Sequence, residues 1–204
     1  MPSTLVGQVG TLLDAGEPFV YAYYDGMDKV AHEFGFGRFY DAELVTVDRL
    51  VGDVAAALPP GGVLVVTSDH GQVEVGDSVV TLPPAILRDV AMLSGEGRFR
   101  WLHARPGTTA RLAAAAVEAF AGLAWVRTVD ELEAAGWYGG ALSDAGRSRL
   151  GDVALIPHAP IAFLDPSDTG ELRLRCRHGS VTAAEMLVPL LACRADLGQH
   201  AGRA

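Results

Sequence analysis

Apolar and polar residues alternate in blocks along this chain, and the blocks change period. "FVYAYY" (19–24) is a continuous apolar and aromatic run ending at Asp25, the pattern of a strand buried on both faces. Over 41–58, Leu44, Val47, Val51, Val54 and Leu58 recur at three- and four-residue spacings. That period predicts an amphipathic helix with Asp41 as its N-cap and Pro59-Pro60 as its stop. "VLVVT" (63–67) reads as the next strand. Strand, helix and strand within about 50 residues predict a parallel βαβ unit. The middle of the chain predicts a helix near 84–94, a strand near 99–104, a helix over 108–121 and a strand near 124–128. A short helix (129–135) and the turn "GWYGG" follow. Residues 80–140 read as a peripheral subdomain within a single domain spanning 1–204. "DVALIP" (152–157) and "IAFLD" (161–165) are strands again, and "RCRHGS" (175–180) is a polar loop. Thr182 and Glu185 have capping-box spacing, which predicts a turn of helix. Pro189 requires that any strand there be an edge strand or begin after it.

In an open parallel sheet, ligands sit beyond the carboxyl ends of the strands. Both early strands lead there into acid-rich segments, "YYDGMDKVAH" and "SDHG". Asp28 and His32 form a D-x-x-x-H, which on a helix puts carboxylate and imidazole on one face. The same spacing also serves a surface ion pair. Asp69 and His70 close the second strand, and His178 stands in the polar loop. Taken together, these carboxylate and imidazole donors suit Zn²⁺, and also Mn²⁺ or Fe²⁺. Asp28, His32 and His178 make three ligands with a position left open, as in catalytic zinc sites. Asp69 and His70 offer two more to a second ion.

Charge and cysteine content narrow the class. The net charge of −9, from 16 basic and 25 acidic residues, disfavours a nucleic-acid polymer as partner. Cys176 and Cys193 form no C-x-x-C pair, so a disulfide scaffold is excluded and a reducing compartment is expected. The N-terminal residues lack the basic and apolar regions of a signal peptide, and no apolar run reaches the roughly 20 residues of a membrane span. A cytoplasmic protein without a membrane partner is therefore expected. His103, His158 and His200 read as structural or exposed, Cys176 as a bystander thiol, and Asp25 as strand-end solvation. Trp101, Trp125 and Trp137 read as core, with Trp137 and Tyr138 also placed to wall a substrate pocket.

"YYDGMDKVAHEFG", "VVTSDHG" and "HGSVTAAEMLVPLL" together resemble the successive metal-binding signatures of the alkaline phosphatase superfamily. They most resemble its type I phosphodiesterase/nucleotide pyrophosphatase branch. The resemblance implies a three-layer α/β/α fold with a mostly parallel central sheet, alkaline phosphatase-like and incomplete here. It also implies a two-zinc site, with Mn²⁺ as the alternative metal, acting on a small phosphate ester or nucleotide. Carried over to this chain, it assigns Asp28, His32 and His178 to one ion, and Asp69 and His70 to the other. In the family a further Asp and a Thr or Ser nucleophile lie far upstream of the D-x-x-x-H. Only 27 residues precede Asp28 here, and they contain no strand ending in Asp before a Thr- or Ser-led helix. Ser3 and Thr4 have the wrong context, so no nucleophile is assigned. The chain is expected to correspond to the C-terminal half of such an enzyme, and to dimerise through an apolar edge or associate with an N-terminal half. Two alternatives stay open: a cofactor-independent phosphoglycerate mutase-like isomerase, and an inactive metal-binding or interaction module.

Overall fold

The computed structural model describes residues 1–167 and 174–196. Among these the chain order is α1 (Pro2–Asp14), α2 (Gly26–Phe34), α3 (Arg38–Ala56), β1 (Val63–Thr67), β2 (Val73–Glu74), β3 (Val79–Val80), α4 (Pro84–Leu87), β4 (Val90–Glu96) and β5 (Phe99–Ala104). There follow α5 (Thr109–Ala119), β6 (Ala124–Thr128), α6 (Val129–Ala134), α7 (Asp144–Arg147), β7 (Val153–Pro157), β8 (Ala162–Phe163), β9 (Cys176–Arg177), α8 (Ala183–Met186) and β10 (Leu190–Arg194). The α/β class read from the sequence is the class observed. No described helix is long and apolar enough to cross a membrane.

The described residues divide into two compact units, 1–69 with 188–196, and 70–167 with 174–187. In the first, α3 is the helix predicted from its apolar spacing, beginning three residues before Asp41 with Gly37 as N-cap. Its Leu50 and Val54 meet Val9 of α1 in a small core, with Val20, Tyr24 and Leu64 against it. β1 pairs antiparallel with β10, Val63 opposite Arg194 and Thr67 opposite Leu190. β10 begins just after Pro189, as that residue's missing N–H requires. The pleat of β1 turns Leu64 and Val66 inward and leaves Val63 and Val65 more than half exposed.

Residues 19–24 depart from expectation. They form no strand among the described residues, and Phe19 and Tyr21 are 79% and 77% exposed. An apolar run marks a strand only where a ladder partner and a covering layer exist, so the predicted βαβ unit does not form.

The second unit is built on a four-stranded antiparallel sheet in the order β4-β5-β7-β6. β7 is buried along its whole length and alternates between two cores. Val153 and Leu155 join Leu102, Leu112 and Phe163 on one face; Ala154 and Ile156 join Trp101 and Leu132 on the other. Capping is local where the sequence shows it: the Thr128 hydroxyl accepts from the Glu131 N–H and Glu131 bonds back to the Thr128 N–H, so α6 starts in a complete capping box.

Strand pairing differs from the expected mostly parallel sheet, since among described strands only β3 and β8 pair in parallel. Only the two residues Gly97 and Arg98 join β4 to β5, and a parallel crossover needs a dozen or more. The helix predicted over 84–94 also shortens to α4, because Val90–Glu96 is claimed by the ladder with β5 and Val90 enters the core. Trp101 is core as expected, whereas Trp125 and Trp137 are 40% and 45% exposed. The loop expected at 175–180 contains the two-residue β9, and the buried Cys176 within it opposes Glu74. His103 bonds Ser94 across β4 and β5, His158 lies against the Trp125 ring, and His200 falls outside the described residues.

Candidate functional site

In the first unit, Asp28 and His32 lie on α2, where their four-residue separation brings His32 Nε2 to 3.2 Å from Asp28 Oδ1. Asp28 sits in the first turn and His32 in the last, each at the end of the helix dipole that favours its charge. The first helical residue is Gly26, where a Cβ would run into the Tyr24 ring and the Glu43 carboxylate. Tyr24 donates to Glu43 at 2.5 Å, which with burial pushes its pKa up to about 12. Asp25 is not merely solvated at a strand end; it pairs with Lys29 at 2.5 Å, and that bond lowers its pKa. This pair is exposed and adds little to stability.

Asp69 follows β1 and is exposed. Its charge is the first cause of a raised pKa at Tyr23, followed by desolvation and by Asp28 and Asp25. Three carboxylates thus act on one phenol and push its pKa up from the ordinary value. Asp28 and Asp69, 41 positions apart in the sequence, belong to one electronegative patch. Sequence reading missed Tyr23, which stood only as part of a hydrophobic run.

In the second unit, His70 and His178 are stacked, with ring centroids 3.6 Å apart and planes inclined by 18°. The cause is topological. β2, just after His70, pairs antiparallel with β9, just before His178, so the two histidine loops leave the ladder side by side. His70 Nδ1 lies 3.0 Å from the Gly71 carbonyl. A proton donated there fixes the tautomer whose lone pair is on Nε2, the form a metal ligand requires.

Gly71 is fixed by close approach: its N–H donates to the Glu185 carbonyl at 2.8 Å, and a Cβ would stand 2.1 Å from the Ala184 carbonyl oxygen. Behind the loops, the Glu185 side chain accepts from the Ser180 N–H at 3.0 Å and from the Thr182 hydroxyl at 2.5 Å. This is not the reciprocal capping box predicted from Thr182 and Glu185, since the Thr182 side chain caps no backbone N–H. Glu185 also receives two bonds from Arg98, at 2.9 and 2.6 Å, and both side chains are buried. Burial pushes the Glu185 pKa up, but the Arg98, Thr182 and Ser180 donors outweigh it and hold the carboxyl below its ordinary value. Arg98 carried no local signal, its partner being 87 residues away.

The donor chemistry within each unit fits a divalent cation: a carboxylate–imidazole pair in the first, and two adjacent imidazoles with one tautomer fixed in the second. No curated protein sequence matches the chain. Solved structures do. Human ectonucleotide pyrophosphatase/phosphodiesterase 5 matches with a TM-score of 0.71 at 18% identity, over 94% of this chain and 52% of that one. Its murine counterpart matches with a TM-score of 0.69 at 17% identity, over 94% and 52%. Phosphonoacetate hydrolase from Sinorhizobium meliloti 1021, in complex with phosphonoformate, matches with a TM-score of 0.69 at 18% identity, over 94% and 49%. The chain therefore spans about half the length of these structures and shares their fold. The family model for type I phosphodiesterase/nucleotide pyrophosphatase matches residues 11–180, a stretch that holds Asp28, His32, Asp69, His70 and His178. With most of its length inside that match, the chain belongs to the type I phosphodiesterase/nucleotide pyrophosphatase family.

Proposed function

We propose that this chain supplies the metal-binding part of a hydrolase acting on small phosphate esters or nucleotides, of the phosphodiesterase or nucleotide pyrophosphatase type. Asp28, His32 and His178 are the ligands of one zinc, and Asp69 and His70 contribute to a second. The observation that carries the reading is that the family match contains all five donors, with Asp28 paired to His32 in the first unit and His70 stacked on His178 in the second. Bound divalent ions supply Lewis-acid charge, which stabilises phosphoryl oxygens and lowers the pKa of bound water.

The residues of the chain have distinct tasks in this scheme. His70 donates its Nδ1–H in a hydrogen bond to the Gly71 carbonyl and keeps the Nε2 lone pair for ligation. Asp28 and Asp69, whose charges both act on Tyr23, make a negative surface that would favour a bound cation and disfavour a bare phosphate. Tyr23, beside them, carries a phenolic O–H that can donate to a phosphoryl oxygen. No serine or threonine of the chain is assigned as nucleophile.

Zinc content of the purified protein, measured by mass spectrometry beside His178→Ala, tests the reading. About one zinc per chain in the parent, lost in the variant, is expected of a site with three ligands. A parent without zinc, or a variant that keeps the parent's content, overturns it.

A further inference from the structure

The two stacked histidines stand on loops that the hydrogen bonds of one residue tie together. Glu185 uses both ends of its structure. Its backbone carbonyl accepts from Gly71, next to His70, and its carboxylate accepts from Ser180, two residues beyond His178. The carboxylate is in turn held by Arg98, which occupies the two-residue turn between β4 and β5 yet is 0% exposed. A hairpin turn usually exposes its side chains, and burying a guanidinium is costly unless every donor finds an acceptor. Arg98 meets that requirement by also donating to the carbonyls of Ala159 at 2.6 Å, Ile161 at 2.9 Å and Pro157 at 3.4 Å. Those carbonyls lie at and just past the end of the buried strand β7. The Ser180 hydroxyl reaches the same Pro157 carbonyl at 2.6 Å. A continuous set of bonds thus runs from the most buried strand of the unit through Arg98 and Glu185 to both histidine loops.

We infer that Glu185, braced by Arg98, is the positioning residue that sets His70 against His178 for metal binding. It touches neither imidazole in the scheme; it acts through Gly71 and Ser180. The inference rests on the metal-ligand reading of His70 and His178 for its purpose, but its geometric content is independent of any metal. Glu185→Gln keeps the volume and removes the charge: with its oxygen toward Ser180 N–H and Arg98 Nε its NH₂ group opposes Arg98 Nη2, and with the amide turned over it opposes Ser180 N–H and Arg98 Nε together. In either orientation an Arg98 donor loses its acceptor, so the brace that holds the Ser180 loop beside Gly71 is loosened.

Two readouts test this on the full chain. The first is the NOE between the ring protons of His70 and His178, measured without metal. The second is zinc affinity, measured by competition with a chelator. Tryptophan fluorescence shows whether the second unit remains folded, because Trp101, Trp125 and Trp137 all lie in it. The expected result for Glu185→Gln is a folded protein with the ring–ring NOE reduced and zinc affinity about tenfold weaker, the low end of what losing a ligand's direct partner costs, because Glu185 acts through Gly71 and Ser180. Should that variant fail to fold, Thr182→Val, which removes one neutral donor to the same carboxylate, decides. It is expected to weaken zinc binding about fivefold and reduce the NOE. A folded variant with the parent's NOE and an affinity within about twofold of the parent overturns the inference. If the parent itself binds no zinc, the metal reading of the site fails while the NOE still judges Glu185.

Discussion

Replacing Gly71 by alanine is the sharpest perturbation available in the "SDHG" loop. The added methyl would stand 2.1 Å from the Ala184 carbonyl oxygen, where ordinary contact begins at 3.4 Å. The obstacle is backbone, so a rotamer change relieves nothing. The loop and α8 must separate by more than 1 Å, which breaks the 2.8 Å bond from the Gly71 N–H to the Glu185 carbonyl. Overpacking costs about 1–3 kcal/mol and a lost buried hydrogen bond about 1 kcal/mol, so a loss of roughly 2–4 kcal/mol is expected. Urea unfolding followed by tryptophan fluorescence measures it in the unit concerned, since all three tryptophans lie there. Gly140→Ala is the control: nothing lies within 4 Å of its added methyl, and the effect should stay within about 0.5 kcal/mol. A Gly71→Ala protein as stable as the control would refute the argument that close approach, rather than chance, put glycine after His70.

Two further outcomes are expected. Asp89 is held below the ordinary carboxylate range chiefly by the hydrogen bond from Arg111, and Glu185 by its buried donors against the cost of burial. Both folded-state pKa values lie below the unfolded ones of about 4, so their stabilisation is present above that pH and lost as pH falls through the folded values. The urea midpoint should therefore decline below about pH 5, less steeply in Asp89→Asn; an unchanged midpoint down to pH 3 would contradict this. In sedimentation velocity the parent should self-associate through the uncovered face of β1 and β10, where Val63, Val65 and Leu190 are 58%, 56% and 75% exposed. Val65→Lys should shift the boundary toward monomer, and a parent that is monomeric throughout would end that expectation.

Much of this protein is legible in its sequence. The three-to-four spacing of Leu44 to Leu58 specifies α3, the β-branched run Val63–Thr67 specifies β1, and Pro189 sets the start of β10, because each signal acts within a few residues. The candidate donors were legible too, since carboxylate and imidazole side chains at a helical spacing and after a strand are visible as letters. What the letters could not show was which segments would find partners. "FVYAYY" has the composition of a buried strand, yet it gains no ladder among the described residues. Val90–Glu96 could continue a helix until Phe99–Ala104 offers it a hairpin. The stacking of His70 on His178 follows from the pairing of β2 with β9, and the burial of Arg98 from a carboxylate 87 positions later. Local propensity is encoded by neighbours in the chain and is readable from them. Pairing, burial and the satisfaction of a buried charge depend on neighbours in space, and only the folded chain brings those together.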